Sequence, residues 1–486
     1  MQADAEEVVM SVTLKCIIVV SSLMFLSACQ APNEAAFFQK PLDFLSSQSE
    51  KLKTFGNSNS SSAPKLDNGK VEDSLENILD YTNNETNLTK GFVKSLKAAV
   101  MADPFVMAAN NEVNARIAGV EANNARKEFQ LDGKFYGGVE DVSDETAGAA
   151  YVLSANRVIF DGGKIDAQIA VAEQQLAASR HSLRVAMDER ATKLLNVWIE
   201  LDRYEQLDAA IKSRMRILTP LIGQLQKVAD AGVGDVSQVA AAKRTVNSIR
   251  VTQTEVEQSL AQTRVEFENA FGALPAQGSF NDKFIKNSMP KKITTKLANS
   301  SPSLLEQYAN YLVAEAELKF VQARDDFDIG FEAMLSRPLG DSSVDSKESI
   351  GFVLRKNFYD GGQLAAEERQ AVARVKSAMA KIRAVHQDGD RIIKASLQTI
   401  SSMDKAINLS RENAAVTRSE IEYLRKQLVI GGSTLDTVLA AEARLYEAES
   451  KEINFQANKL KAQTTILSVL GILSKAIGLN ELNSNN

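Results

Sequence analysis

The chain has 486 residues, 44% of them hydrophobic and 24% charged, with a formal net charge of −6. That acidic balance lacks the basic footprint of a nucleic-acid binder, so nucleic acid is excluded as a partner. Two cysteines, two histidines and one tryptophan offer no catalytic or metal-ligating cluster and call for no cofactor, whereas abundant Ala, Gln, Glu, Arg, Leu and Val with few prolines point to long amphipathic helices.

Leu14 to Ala28 is short and apolar, has Lys15 near its start and ends Leu26-Ser27-Ala28-Cys29, the layout of a secretory signal. Its last four residues resemble a bacterial lipobox, which makes 1–28 a lipoprotein signal peptide and Cys29 the acylated mature N-terminus. Met10 is an alternative start, because Asp4, Glu6 and Glu7 are unusual in a signal n-region. Gln30 is not the Asp of an inner-membrane retention signal. Cys16 lies in the removed segment, so the mature chain keeps one cysteine and no internal disulfide. No other stretch supplies the ~20 apolar residues of a membrane-spanning helix, so a crossing of the membrane requires a β-barrel. Residues 29–87, with the Ser/Asn run Asn57 to Ser62, read as a tether behind the lipid anchor.

Beyond the tether the chain is written twice. Phe160-Asp161-Gly162-Gly163 recurs as Tyr359-Asp360-Gly361-Gly362 at a shift of 199, which also carries Gly232 onto Gly431 and Val239 onto Val438. Upstream the shift is 198, placing Pro104 on Pro302 and Ala125-Arg126 on Ala323-Arg324. The boundaries are 88–275 for the first repeat, 276–301 for a linker, 302–473 for the second repeat and 474–486 for a tail.

Each repeat opens with a helix; the first, from about Leu88 to Lys127, is broken near Asp103-Pro104. Period-two alternation then marks a strand hairpin. Phe129, Leu131, Phe135 and Val139 alternate with polar residues and lead through the turn at Ser143 to Thr146 into Tyr151 to Phe160. Phe327, Ile329, Phe331 and Ala333 do the same before the turn near Gly340 to Ser343 and a strand from Ile350 to Tyr359. On this reading the aromatic and aliphatic set faces lipid and Asp132, Asp328 and Glu332 face a lumen. The hairpins end at Asp161, Gly162, Gly163 and at Asp360, Gly361, Gly362.

After each Asp-Gly-Gly a coiled-coil-like stripe begins: Ile165, Ile169, Ala172, Leu176 and Leu183 in one copy, Leu364, Ala371, Val375 and Ile382 in the other. Helices Lys164 to Asp230 and Gln363 to Ile430 are each roughly 100 Å long at ~1.5 Å per residue. Pro220 predicts a bend in the first. Return helices, about Val236 to Phe271 and Leu435 to Leu470, are half as long. His181 and His386 fall inside helical patterns and read as solvated or interhelical residues. Four strands are too few for a transmembrane barrel, which needs at least ~8; three chains would supply twelve under cyclic symmetry.

The duplication, the two Phe/Tyr-Asp-Gly-Gly corners and the Gly-centred tips, Ala231 to Val236 and Ile430 to Leu435, together resemble the TolC family of outer-membrane efflux proteins, over Leu88 to Leu473. The resemblance implies a mainly α fold with a β-barrel: a homotrimer with a twelve-stranded barrel in outer-membrane lipid and a periplasmic α-helical tunnel. It implies a periplasmic adaptor (membrane fusion) protein and an inner-membrane ABC or proton-driven transporter as partners, an open conduit and no reaction chemistry. The tips that would dock the adaptor are Gly232, Val233, Gly234 and Asp235 with Gly431, Gly432 and Ser433. Some members ring their closed entrance with aspartates after the second tip glycine. The positions counted from Gly431 here hold Thr437 and Ala440, which leaves Asp436, and Asp230 on the other tip, as gate candidates. Drug-efflux members usually end the first hairpin in an Asp-Leu-Trp/Phe-Gly-Arg-like motif. The two Asp-Gly-Gly corners are more similar to the type I secretion branch, while the lipobox is more similar to the efflux branch. Protein export is therefore the first expectation and small-molecule efflux the second. A structural coiled-coil envelope lipoprotein is the reading of another class, disfavoured because a spacer needs no strands.

Overall fold

The structure, a computed structural model, describes residues 88, 91–141, 146–231, 236–276, 278–339, 346–430 and 432–479. Every described residue lies in the unit Asn83–Asn486. Cys29, both hairpin turns, Gly232, Val233, Gly234, Asp235 and Gly431 lie outside the described residues.

The first helical stretch is two helices, α1 (Phe92–Met101) and α2 (Pro104–Ala125). Pro104 opens α2 where its missing N–H costs nothing, and the Asp103 side chain accepts a hydrogen bond from the Phe105 amide at 3.1 Å. Asp103 is buried and forms an ion pair with Arg190 at 2.5 Å. This break therefore also anchors α2 to the next long helix.

Strands β1 (Gln130–Asp141), β2 (Thr146–Phe160), β3 (Asp328–Leu339) and β4 (Lys347–Arg355) form one antiparallel meander in the order β1-β2-β3-β4. Between the hairpins run α3 (Lys164–Asp230), α4 (Val236–Phe271), the short α5 (Asp282–Ser288) and α6 (Thr295–Ala298), and α7 (Pro302–Ala323). After them come α8 (Gln363–Val429), α9 (Leu435–Val469) and the one-turn α10 (Leu473–Ala476). Helices α2 and α7 have 22 residues each, α3 and α8 have 67 each, and α4 and α9 have 36 and 35. Helix α3 runs unbroken past Pro220.

The strand expected to reach Tyr359 stops at Arg355, whereas its counterpart β2 continues to Phe160. The reason lies in the neighbours. The β1–β2 ladder ends at Gln130 opposite Asn156 and the β3–β4 ladder at Asp328 opposite Arg355. Only β3, on the other side of β2, carries that strand on, through a bulge to Phe160 opposite Ile329. Among the described residues, strand β4 has no neighbour on its other side.

The main core gathers around the middle of α3. Trp198 packs on Phe92, Phe267 and Phe271 with ring centroids 4.6, 5.1 and 5.0 Å away, and Leu194, Leu195, Ile199 and Leu96 complete the cluster. The long stripe continues this core: Ile165, Ile169, Ala172 and Leu183 are buried. In the second copy Ala371 is buried but Leu364, Val375 and Ile382 are only half-buried. A separate cluster of Ile211, Leu218, Val239, Val246, Val438 and Leu439 closes the helices toward their tips.

Residues 474–479 join the core, with Ser474, Ile477 and Leu479 buried. Gly471 makes the approach possible: its φ is 63°, and a Cβ there would stand 2.4 Å from the Pro302 ring. Asp188 of α3, itself buried, accepts hydrogen bonds from the Ser474 amide at 2.8 Å and its hydroxyl at 2.9 Å. It thus caps α10 from a different helix. Burial pushes its carboxyl up to about 6, against the opposing pull of the Ser474 hydrogen bonds. A carboxyl raised in the folded state contributes stability that is present in acid and lost as pH climbs through the raised value. Stability should therefore fall by about 3 kcal/mol between pH 4 and pH 7 through this group, taking ~1.4 kcal/mol per unit. Urea midpoints of the wild type and Asp188→Asn across that range check it: the variant should lack this component, and parallel profiles would refute the assignment.

A two-faced sheet and the helical ends

Register sorts the meander into two unlike faces. Ala155 lies opposite Ala333, and Ala333 opposite Ile350; Leu153 pairs with Leu335, and Phe331 with Phe352. With Leu131, Phe135, Tyr151, Ile329 and Leu354 these residues form one mostly apolar face, which also carries Arg157 opposite Phe331 and, at its far end, the Arg337–Glu348 ion pair; Leu131, Phe135, Ile350, Phe352 and Leu354 are exposed in the single chain. The other face carries Gln130, Asp132, Lys134, Ser154, Asn156, Asp328, Glu332 and Arg355. There Asn156 donates to Asp132 at 3.4 Å and Arg355 forms an ion pair with Glu332. The expected division therefore appears, with Leu131, Phe135, Ile329 and Phe331 on one side and Asp132, Asp328 and Glu332 on the other. Phe129 and Phe327 immediately precede the strands. The Phe129 ring packs on Phe331 at 6.1 Å and beneath the Arg157 guanidinium at 5.1 Å. The Phe327 ring lies tilted against Phe160, with ring centroids 5.0 Å apart.

The two Asp-Gly-Gly corners turn strand into helix by one device. The Asp161 carboxylate accepts from the Gly163 amide at 2.9 Å and the Ile165 amide at 2.7 Å. Asp360 accepts from the Gly362 and Leu364 amides at 2.8 and 2.7 Å. Each carboxylate thus satisfies amides at the positive end of a long helix. The Leu364 and then the Gly362 amide hold the Asp360 carboxyl below its ordinary range. Gly162, Gly163, Gly361 and Gly362 take φ of 66°, 84°, 69° and 85°, two successive left-handed residues in each corner. At the first corner Lys164 also reaches Asp328 at 2.5 Å.

At the opposite end of the helices, the Gly432 amide donates to the Gln427 carbonyl at 2.9 Å, and a Cβ on Gly432 would lie 2.7 Å from Gln427 Oε1. Thr434 is the N-cap of α9, accepting from the Thr437 amide at 3.4 Å, and Ser433 contacts the Thr437 hydroxyl at 2.7 Å. Asp436 sits in the first turn of α9, and Asp230 ends α3, where Gln226 donates to it at 2.7 Å. The two aspartates are not hydrogen-bonded to each other. Among the described residues no group of His, Cys, Asp or Glu is arranged to hold a metal ion, and no helix is long and apolar enough to cross a membrane.

Above this end runs an ion-pair ladder that the sequence reading missed. Arg214 of α3 donates to Glu442 at 2.6 Å and to Glu449 at 2.7 Å, both on α9. Arg425 and Arg418 of α8 approach the same two carboxylates at 2.7 and 2.8 Å, and Arg411 approaches Glu452 at 2.6 Å. Burial works to lower the Arg214 pKa, but its hydrogen bonds to Glu449 and Glu442 raise it on balance, so it stays charged. The signal was present: Arg411, Arg418 and Arg425 recur every seven residues, as do Glu442 and Glu449, the spacing of one helix face.

The description "Outer membrane efflux protein" belongs to the family whose sequence model matches residues 294–472. TolC from Escherichia coli strain K12 is 22% identical over 347 residues, 66% of this chain and 69% of that protein. TolC from Salmonella enteritidis is 20% identical over 264 residues, 51% of this chain, which spans only about half (53%) of that relative. The crystal structure of the outer membrane protein VceC from Vibrio cholerae matches with a TM-score of 0.66 at 17% identity, covering 78% of this chain and 96% of VceC. Over these spans the chain is similar to outer membrane efflux proteins of the TolC type, and its fold is shared with VceC. The relatives are described as outer membrane proteins, and the family as outer membrane efflux proteins. In this TolC-like chain the apolar sheet face and the helical ends are the surfaces that a role would use.

Glu442 is the centre of the ladder, its side chain 2% exposed. Glu442→Gln leaves Arg214 buried with one carboxylate partner instead of two, a loss on the order of 3 kcal/mol. Limited proteolysis of the α8–α9 end should accelerate in that variant, while Glu447→Gln, on an exposed pair with Lys451, should cleave at the wild-type rate. Equal rates in both would remove the ladder from the account.

Proposed function

We propose that this chain is the outer-membrane exit duct of a tripartite export system, and that its cargo is a polypeptide such as an adhesin or hydrolase. The observation that carries the duct reading is the sheet: one face mostly apolar and exposed, the other polar and charged, on the four strands found among the described residues. A bilayer accepts strands only in a closed barrel, so three copies close a twelve-stranded ring with the apolar faces outward and Asp132, Asp328 and Glu332 lining the passage. The duplicated halves then give each copy two equivalent positions around the ring. A pure spacer lipoprotein gains nothing from such a sheet. Polypeptide cargo is supported by the Asp-Gly-Gly corners in both halves, and drug or small-molecule efflux is the competing cargo.

In the same reading, Cys29 carries the lipid anchor. The tips from Gly232 to Asp235 and from Gly431 to Ser433 dock a periplasmic adaptor tied to an inner-membrane transporter, and Asp230 and Asp436 contribute to the entrance. Mass spectrometry of the mature N-terminus tests the first of these: a diacylglyceryl mass on Cys29 is expected, and an unmodified terminus elsewhere refutes it.

Deletion of the gene tests the cargo. One or a few polypeptides should vanish from the culture medium with little change in sensitivity to small toxic compounds. An unchanged secretome with heightened sensitivity would replace polypeptide export by efflux. Lipid contact is tested by Phe331→Lys, which should lower the stability of vesicle-inserted protein by about 2–4 kcal/mol. The adjacent Glu332→Lys, on the polar face, should leave insertion nearly unchanged. The reverse ranking would invert the faces.

A further inference from the structure

We propose that Arg157 is the grip of a phospholipid site. Its guanidinium takes the phosphodiester of a glycerophospholipid in the leaflet nearer the helices, with the acyl chains laid on Phe129, Phe331 and Phe352, while the repeat-related Lys356 is closed to lipid by Asp325. The proposal rests on the reading above that the mostly apolar face meets a bilayer.

Arg157 is a charge among apolar neighbours. Register sets it opposite Phe331, which stands opposite Phe352, beside the row of Ala155, Ala333 and Ile350. A cation on a lipid-facing surface is costly at the midplane and tolerated toward the rim, where a long stem carries the charge to the headgroups. Arg157 makes that reach. Its Nε donates to the Lys127 carbonyl at 3.3 Å, just beyond the end of α2, so the guanidinium is drawn toward the helices and away from the middle of the strands. It lies 5.1 Å from the centre of the Phe129 ring, and Phe129 meets Phe331 edge-on at 6.1 Å. Among the described residues no carboxylate pairs with it, and its two terminal nitrogens make no hydrogen bond. Those nitrogens are the fork that fits two oxygens of a phosphodiester.

The repeat supplies an internal comparison. A shift of 199 carries Arg157 onto Lys356, and a shift of 198 carries Lys127 onto Asp325. The contact is kept: Lys356 Nζ donates to the Asp325 carbonyl as Arg157 does to the Lys127 carbonyl. What stands beside it is reversed. Lys127 is itself basic and is taken up by Asp166 at 2.5 Å, which leaves Arg157 its full charge. Asp325 is acidic, and its carboxylate lies 3.3 Å from Lys356 Nζ, which neutralises that cation. The two halves therefore offer one open cationic site and one closed one.

The surroundings select a lipid over a soluble anion. Phe129 and Phe352 are exposed on the same face; an acyl chain covers them, and inorganic phosphate gains nothing from them. They also select the leaflet. At the opposite end of this face Arg337 is already paired with Glu348, so the open cation stands at the helical end.

The test is native mass spectrometry of the purified full-length protein, stripped of lipid in detergent and titrated with dioleoylphosphatidylglycerol. The wild type should hold one tightly bound lipid per chain. Arg157→Gln should weaken that lipid about tenfold, Arg157→Lys should weaken it less, and Lys356→Gln should leave it unchanged. Asp325→Asn frees Lys356 and should add a second lipid per chain, a gain that damage to the fold would not produce. Inorganic phosphate in excess should displace none of it. This pattern upholds the proposal. Equal lipid binding by the wild type and Arg157→Gln, no gain in Asp325→Asn, or displacement by phosphate overturns it while lipid contact by the sheet stands. A wild type that fails to enter vesicles of the same lipid overturns the bilayer reading itself.

Discussion

The structure depends on backbone groups that one chain leaves unpaired. Among the described residues four antiparallel strands pair at three junctions, and β1 and β4 have no neighbour on their outer sides. In water such edges attract other strands; in a bilayer they are not tolerated at all. The apolar face compounds the demand, because Leu131, Phe135, Phe352 and Leu354 are exposed where a soluble sheet would cover them. Closure with other copies, as proposed, would meet both demands at once, and the rest of the chain is built to hold the sheet in position.

That task falls to the corners. In each, one aspartate caps a long helix and two left-handed glycines redirect the backbone, so each strand pair passes into its helix with little freedom. From there α3 and α8 run 67 residues each, roughly 100 Å at ~1.5 Å per residue. Shorter helices lie along them. The aromatic cluster around Trp198 and the Asp188 cap on α10 fasten the middle of α3. The ladder from Arg214 through Glu442 to Arg425 ties α3, α9 and α8 near the far end. The halves are alike in length but unlike in covering: the stripe of α3 is buried within the chain and much of that of α8 is not.

Much of this was legible in the residues. The repeat gave the element order, the period switch at Asp161 and Asp360 located the starts of the long helices, and period-two alternation separated Phe331 from Glu332. Three features were not legible, each for a physical reason. Strand β4 was read to Tyr359 because alternation reports what a segment is suited to, whereas its observed end depends on which neighbour is present. The Asp188–Ser474 cap joins residues 286 positions apart, and a buried carboxylate in a helical run carries no local mark. The Arg214 pairs with Glu442 and Glu449 bridge 228 and 235 positions; the seven-residue spacing of their partners hinted at a common face, but only packing shows which faces meet.

The central claim is that the sheet closes with other copies into a pore continuous with the helical body. Single-channel recording with the purified full-length protein in planar bilayers tests it most directly. Discrete, uniform conductance steps are expected on insertion, with ion selectivity altered when Asp132, Asp328 and Glu332 are neutralised together. Protein shown to be inserted in the bilayer yet passing no current would contradict it.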